Sequence, residues 1–332
     1  MAMTRLGLAG LALCTFFGLM AASQPLHSSR SAGHRGVAPE PQTSLAVCDV
    51  LVSADGGAPV TSLVAADFEV LSDGIPVRVV SVAPPPLPLS IVILYDFSTS
   101  VTLESLHVIE ATQHVVASKP PNVRLRFGAF AGTVKIGPQI IGIRSVRDSL
   151  LQMFTVSPRE PSPLWDAIAA GMNTLSRDSG LRAVVVISDG RASGNFLHVD
   201  EVIDAALLGN YIIGAVSDGR EIVTLQEGSE FRLRPAGHLQ AMAAATGGEF
   251  TNTGPAGGVN PPQHDIAAHR SEMARPPVPV GPFIARMVTS LASRHRVTFE
   301  APADGRFHEL EVRTKALGYT TRAPQRFFGV RR

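Results

Sequence analysis

The chain carries three short, unbroken apolar runs: SIVILYDF from Ser90, RAVVVISDG from Arg182 and YIIGAVS from Tyr211. A strand with one wet face alternates apolar and polar residues, whereas an unbroken run needs cover on both faces. That cover comes from helices on either side of a parallel sheet. Helical stretches are expected at 102–118, 145–154, 163–176 and 197–208, then over LQAMAAATGG and at 283–294. VRLRFGAFA and TVKIG read as two strands joined at Ala131-Gly132, and EFTNT as a closing strand. This alternation predicts an α/β protein with a doubly wound, mostly parallel six-stranded sheet and one antiparallel edge.

The flanks have a different texture. LAVCDVLV is an apolar strand, and DFEVLSDGIPVRVVSV reads as strand, Ser-Asp-Gly turn, strand. A proline hinge, APPPLPL, separates them from the first apolar run. At the other end HRVTFEAPADGRFHELEVRT reads as a strand pair turning at Ala303-Asp304-Gly305. Either set alone is small for independent stability. The expected division is an N-terminal β module at 45–85, the α/β domain at 88–295 and a C-terminal β segment at 296–332. The two β segments are expected to pack together as a small β-sandwich-like module.

Residues 1–23 read as an export signal: Arg5, then the apolar stretch Leu6–Ala22, then small residues at Ala21-Ala22-Ser23. Residues 24–44, rich in Ser, Pro, Gly and His, read as a flexible leader. The alternative for residues 1–23 is an uncleaved anchor, about 17 apolar residues being the lower limit for crossing a bilayer. Once cleaved, the mature chain is expected to be secreted, or periplasmic in the cell envelope, with no membrane span. Cys48 is then the one remaining cysteine, so no intrachain disulfide can form. Its apolar neighbours place it in a buried strand. A net charge of +1 without a basic run gives no electrostatic footprint for nucleic acid.

In an open parallel sheet, ligands collect beyond the carboxyl ends of the strands. Three segments are expected there: Asp96-Phe97-Ser98-Thr99-Ser100, Ser188-Asp189-Gly190, and the loop REPSPLWDAI with Ser162. Residues i, i+2 and i+4 of an extended segment share a side, which groups Asp96, Ser98 and Ser100. Carboxylates and hydroxyls are hard oxygen ligands, suited to Mg²⁺. With Asp96-x-Ser98-x-Ser100 after one buried strand and Ser188-Asp189-Gly190 after another, the chain resembles von Willebrand factor A domains at their metal ion-dependent adhesion site. Asp166-Ala167 matches that family's Asp-Ala pair opening a helix. Ser162 stands where the family has threonine; the hydroxyl is kept and the β-methyl, which restrains χ1, is lost. The flanks are similar to a secreted, VWFA-related bacterial subgroup known from Acidobacteria.

The resemblance implies a Rossmann-like sheet and a divalent cation, Mg²⁺ or in its place Mn²⁺ or Ca²⁺. It implies that Ser98 and Ser100 bind the metal directly, Ser162 directly when a ligand is present, and Asp96 and Asp189 through water. A partner protein would complete the shell with a carboxylate. Two other readings stand beside this one: a metal-free scaffold, and behind it a metal-dependent hydrolase. The hydrolase lacks sequence support, since there is no G-x-S-x-G elbow and no phosphate-binding G-x-x-x-x-G-K. His107 and His114 are seven apart on one predicted helix, whereas a metal pair wants i, i+4. Trp165 is expected to anchor its helix to the sheet. Asp67, Asp73 and Asp304 read as turn acids.

Overall fold

The computed structural model describes residues 43–85, 87–98, 107–157, 160–217, 235–253 and 279–330. The export signal and nearly all of the leader lie outside them, as does Ser100. The elements of the α/β part are β5 (Leu89–Asp96), α1 (Val108–Ser118), β6 (Val123–Ala131), β7 (Thr133–Ile136), α2 (Ile143–Met153), α3 (Leu164–Thr174), β8 (Leu181–Ile187), α4 (Val199–Leu208), β9 (Tyr211–Ser217), α5 (Pro235–Ala245), β10 (Phe250–Asn252) and α6 (Gly281–Ala292). The strands form one six-stranded sheet in the order β10-β9-β8-β5-β6-β7. All neighbours are parallel except β6 and β7, which are antiparallel. Their turn is at Gly132, whose φ of +61° suits glycine. The α/β class, the six strands and the antiparallel edge are as the sequence predicts.

The apolar run of β5 explains itself here. Ile91, Ile93 and Tyr95 point into a core closed by α1, α2 and α6. Val92 and Leu94 point into a second core closed by α3, α4 and α5, which includes Trp165. Alternate residues of one strand thus feed two cores, and each fully buried aliphatic side chain contributes ~1.5–3 kcal/mol.

The flanks supply β1 (Thr43–Ala54), β2 (Phe68–Ser72), β3 (Ile75–Val77), β4 (Val79–Ala83), β11 (His295–Pro302), β12 (Phe307–Thr314), β13 (Tyr319–Arg322) and β14 (Arg326–Phe328). They form two further four-stranded sheets, β13-β1-β11-β4 and β14-β12-β2-β3. Cys48, Val50, Phe68, Val70, Val297, Phe299, Val312 and Phe327 share one core between these sheets. Strands from the two ends of the chain therefore build a single β-sandwich, as expected. Cys48 is a buried free thiol, and burial pushes its pKa up.

Two local readings differ from the sequence. GIPVRVVSV is not one strand: β3 pairs with β2, the chain crosses at Arg78, and β4 pairs with β11 in the opposite sheet. HRVTFEAP and FHELEVRT are not a paired hairpin; the turn at Ala303-Asp304-Gly305 carries the chain from one sheet to the other. Alternation tells which side of a strand faces a core. It does not tell which of two sheets the strand joins when both line the same core.

Candidate functional site

β5 and β8 are parallel neighbours, paired through Tyr95 and Ile187. Their carboxyl ends therefore release Asp96 and Ser188-Asp189 side by side. Asp96 is fully buried, and its carboxylate gathers the surrounding loops. Its Oδ1 accepts the Ser98 backbone N–H at 2.9 Å. Its Oδ2 accepts the Ser188 hydroxyl at 2.6 Å and the Ser162 hydroxyl at 3.0 Å. Asp189 repeats the local turn, its Oδ1 accepting the Arg191 N–H at 2.9 Å, two residues on. The Arg191 side chain stands 3.6 Å from Asp189 Oδ2. Gly190 follows with φ of +82°, and its N–H is accepted by the Ser188 hydroxyl at 3.0 Å. Burial raises the pKa of Asp96; hydrogen bonds from Ser188 and Ser98 oppose this, and the charge of Asp189 adds to it.

Ser162 reaches the cluster because a second loop is laced onto its own. The Ser193 N–H donates to Ser162 O at 2.7 Å, and the Ser162 N–H donates to Ser193 Oγ at 3.0 Å. The Trp165 N–H donates to Asn195 Oδ1 at 2.7 Å. Asp166 accepts the N–H groups of Phe196 at 2.9 Å and Leu197 at 3.0 Å. The helix α3 thus starts with its first turn tied to the loop that follows β8.

Of the residues the sequence predicts, Asp96, Ser98, Ser162 and Asp189 come together and are buried. Ser100, and Thr99 before it, lie outside the described residues. Sequence reasoning missed the hydroxyl of Ser188, which reads as part of a turn motif yet donates to Asp96 at 2.6 Å. It also missed Ser193 and Asn195, which carry no signal beyond lying in a polar loop. Asp166 was read only as a helix opener, and it holds a distant loop.

The residues fit a hard dication. Every donor is a carboxylate or hydroxyl oxygen, and the partners of Asp96 among the described residues are neutral. A buried carboxylate beside a second one is the setting in which positive charge is favoured. Among the described residues, no group of three or more His, Cys, Asp or Glu side chains could hold a metal. A site here would therefore lean on hydroxyls, with only two acids.

The sequence matches no protein-family model, and no curated protein matches it. Solved structures do. The chain is similar to a conserved hypothetical protein, BatB, from Bacteroides thetaiotaomicron at 15% identity, covering 61% of this chain and 98% of that one, TM-score 0.41. It is similar to a von Willebrand factor type A protein from Catenulispora acidiphila at 11% identity, covering 89% of this chain and 74% of that one, TM-score 0.44. It is also similar to a manganese-loaded TRAP protein of Plasmodium vivax at 10% identity, covering 77% and 95%, TM-score 0.39. At that identity and overlap the likeness transfers no residue role. Among the described residues, no helix is long and apolar enough to cross a membrane.

Proposed function

We propose that this chain is an exported binding module of the von Willebrand factor A type. It holds Mg²⁺, or Mn²⁺ or Ca²⁺ in its place, with Asp96, Ser98, Ser100, Ser162 and Asp189, and takes a carboxylate from a partner protein. The observation that carries the reading is the convergence of Ser98, Ser162 and Ser188 on buried Asp96, with Asp189 close enough to raise its pKa. When bound, the cation would supply electrophilic charge for an anionic ligand. The chain's own contribution is economy of negative charge: two carboxylates only, the rest neutral hydroxyls. A cation so held is not fully neutralised and keeps attraction for a third carboxylate. We read the module as a binder and not an enzyme: the Ser162 and Ser188 hydroxyls donate to a carboxylate, and the sequence offers no G-x-S-x-G elbow and no phosphate-binding G-x-x-x-x-G-K.

A second reading has its own support. Both oxygens of Asp96 already accept hydrogen bonds, and Arg191 lies beside Asp189. A metal-free scaffold would look like this. Thermal unfolding of the full chain separates the two. A bound cation stabilises the fold by RT ln(1 + [L]/Kd), ~2.7 kcal/mol at a hundredfold excess over Kd. Mg²⁺ or Mn²⁺ is expected to raise the midpoint relative to EDTA, and Asp96→Ala to abolish the rise. An unchanged wild-type midpoint, with the circular dichroism of a folded chain, would leave the scaffold reading standing.

A further inference from the structure

The loop after Asp189 does two things at once. It is pinned by backbone and side chain: the Ser193 N–H and Oγ to Ser162, the Asn195 Oδ1 to Trp165, and the N–H groups of Phe196 and Leu197 to Asp166. Gly194, at φ of +70°, packs so close to Pro161 that a Cβ there would sit 3.1 Å from the proline ring. Yet the side chain at the end of this pinned segment is almost wholly in solvent: Phe196 is 96% exposed, with Leu197 beside it at 37%. Single exposed apolar residues are ordinary. A phenyl ring held out by a loop with three backbone and two side-chain hydrogen bonds, the loop that also positions Ser162, is a different matter. Such a ring loses little freedom on binding, having only two χ angles and an already fixed backbone. At the foot of the same loop Arg191 keeps its side chain 41% exposed beside Asp189, adding positive charge toward solvent.

We propose that Phe196 is the aromatic anchor of the partner site, so that the partner is a protein segment presenting a carboxylate with a bulky apolar side chain near it in sequence. The acid is drawn by the oxygen-caged cation and by Arg191; the apolar neighbour packs on Phe196 and Leu197. This rests on the cation-bridged reading above and adds the partner's second determinant.

The test uses the full chain and short labelled Gly-Ser peptides carrying a single Asp, with or without a Leu close to it on either side. Controls replace Asp by Asn. Binding is followed by fluorescence anisotropy in Mn²⁺ and in EDTA, and Mn²⁺ uptake is measured in parallel by electron paramagnetic resonance. The expected result is that Leu tightens binding about tenfold, and that Phe196→Ala removes this gain while Mn²⁺ uptake persists. Phe196→Leu should keep part of the gain, which a purely structural role for the ring would not predict. If Leu makes no difference, if the gain survives in Phe196→Ala, or if no peptide binds while Mn²⁺ is taken up, the inference is overturned. Failure of the cation reading looks different: no Mn²⁺ uptake and no effect of EDTA, with the Leu gain still lost in Phe196→Ala.

Discussion

His308 has a carboxylate at each ring nitrogen: Asp73 at 2.7 Å from Nδ1 and Asp304 at 3.0 Å from Nε2. Only the imidazolium can donate to both. Burial pulls the ring's pKa down, but the hydrogen bonds and charges of Asp73 and Asp304 outweigh it, and the net shift is upward. The bond from His308 lowers the pKa of both aspartates. A histidine with a raised folded pKa contributes stability that is fully present below its unfolded value, ~6.5, and lost as pH rises through the folded value. The aspartates contribute above their unfolded value, ~3.9, and lose the contribution as pH falls through their folded values. The clamp is therefore strongest between about pH 4 and 6.5. Urea midpoints of wild type and His308→Gln should differ most near pH 5.5 and converge as pH rises through the raised folded pKa of His308; a gap that widens with pH would refute the assignment. Ser188 allows a second check. Its hydroxyl serves a buried carboxylate at 2.6 Å, so Ser188→Ala should cost about 2 kcal/mol in chemical denaturation.

Among the elements, what was legible in the sequence followed the physics of burial. The unbroken runs of β5, β8 and β9 can lie only where both faces are covered, so the parallel sheet could be read directly. Asp96, Ser98 and Asp189 were legible because they sit at the ends of those runs. Partner choice in the β-sandwich was not legible, because β4 and β11 keep the same alternation whichever sheet they join. The Asp73–His308–Asp304 clamp was not legible either: His308 and Asp73 are 235 positions apart, and each alone reads as an ordinary surface or turn residue. Asp166 shows how one side chain can unite two elements. Its position in the first turn of α3 suits the helix dipole, while its two oxygens hold the loop 196–197. Asp166→Ala should cost about 1–2 kcal/mol. It should also speed hydrogen exchange at the Phe196 and Leu197 amides, with α3 and β8 still protected. Unchanged exchange at those two amides would mean that Asp166 does not hold the loop.

The whole molecule interlocks its α/β part and its β-sandwich at the junction of α6 and β11. Arg294 is only 2% exposed there, and burial lowers its pKa to about 10. Its guanidinium donates to Asp49 O in β1 at 2.8 Å and to Gly247 O after α5. The contact continues into β14: the Gln325 N–H donates to Ala245 O at 2.9 Å, Thr246 and Pro324 form a β-bridge, and Arg326, the first residue of β14, pairs with Asp204 in α4 at 2.9 Å. Its two terminal nitrogens find backbone carbonyls while Nε stays buried without a partner among the described residues, so the charge is partly compensated and Arg294 ties β1 to the turn after α5, where an apolar side chain could not. The single tryptophan, Trp165, lies in the α/β core and reports that part alone, while circular dichroism sees both sheet systems. In the wild-type chain the two signals should trace one urea transition, because neither part can open without breaking this junction. Arg294→Leu strips two buried carbonyls of their donor and should cost about 2–5 kcal/mol. Its two curves should then separate, the sandwich strands from opposite chain ends having lost the tie that makes their unfolding conditional on the parallel sheet. Coincident curves in Arg294→Leu would show that the remaining contacts at the junction, those of Gln325, Pro324 and Arg326 among them, couple the parts without Arg294.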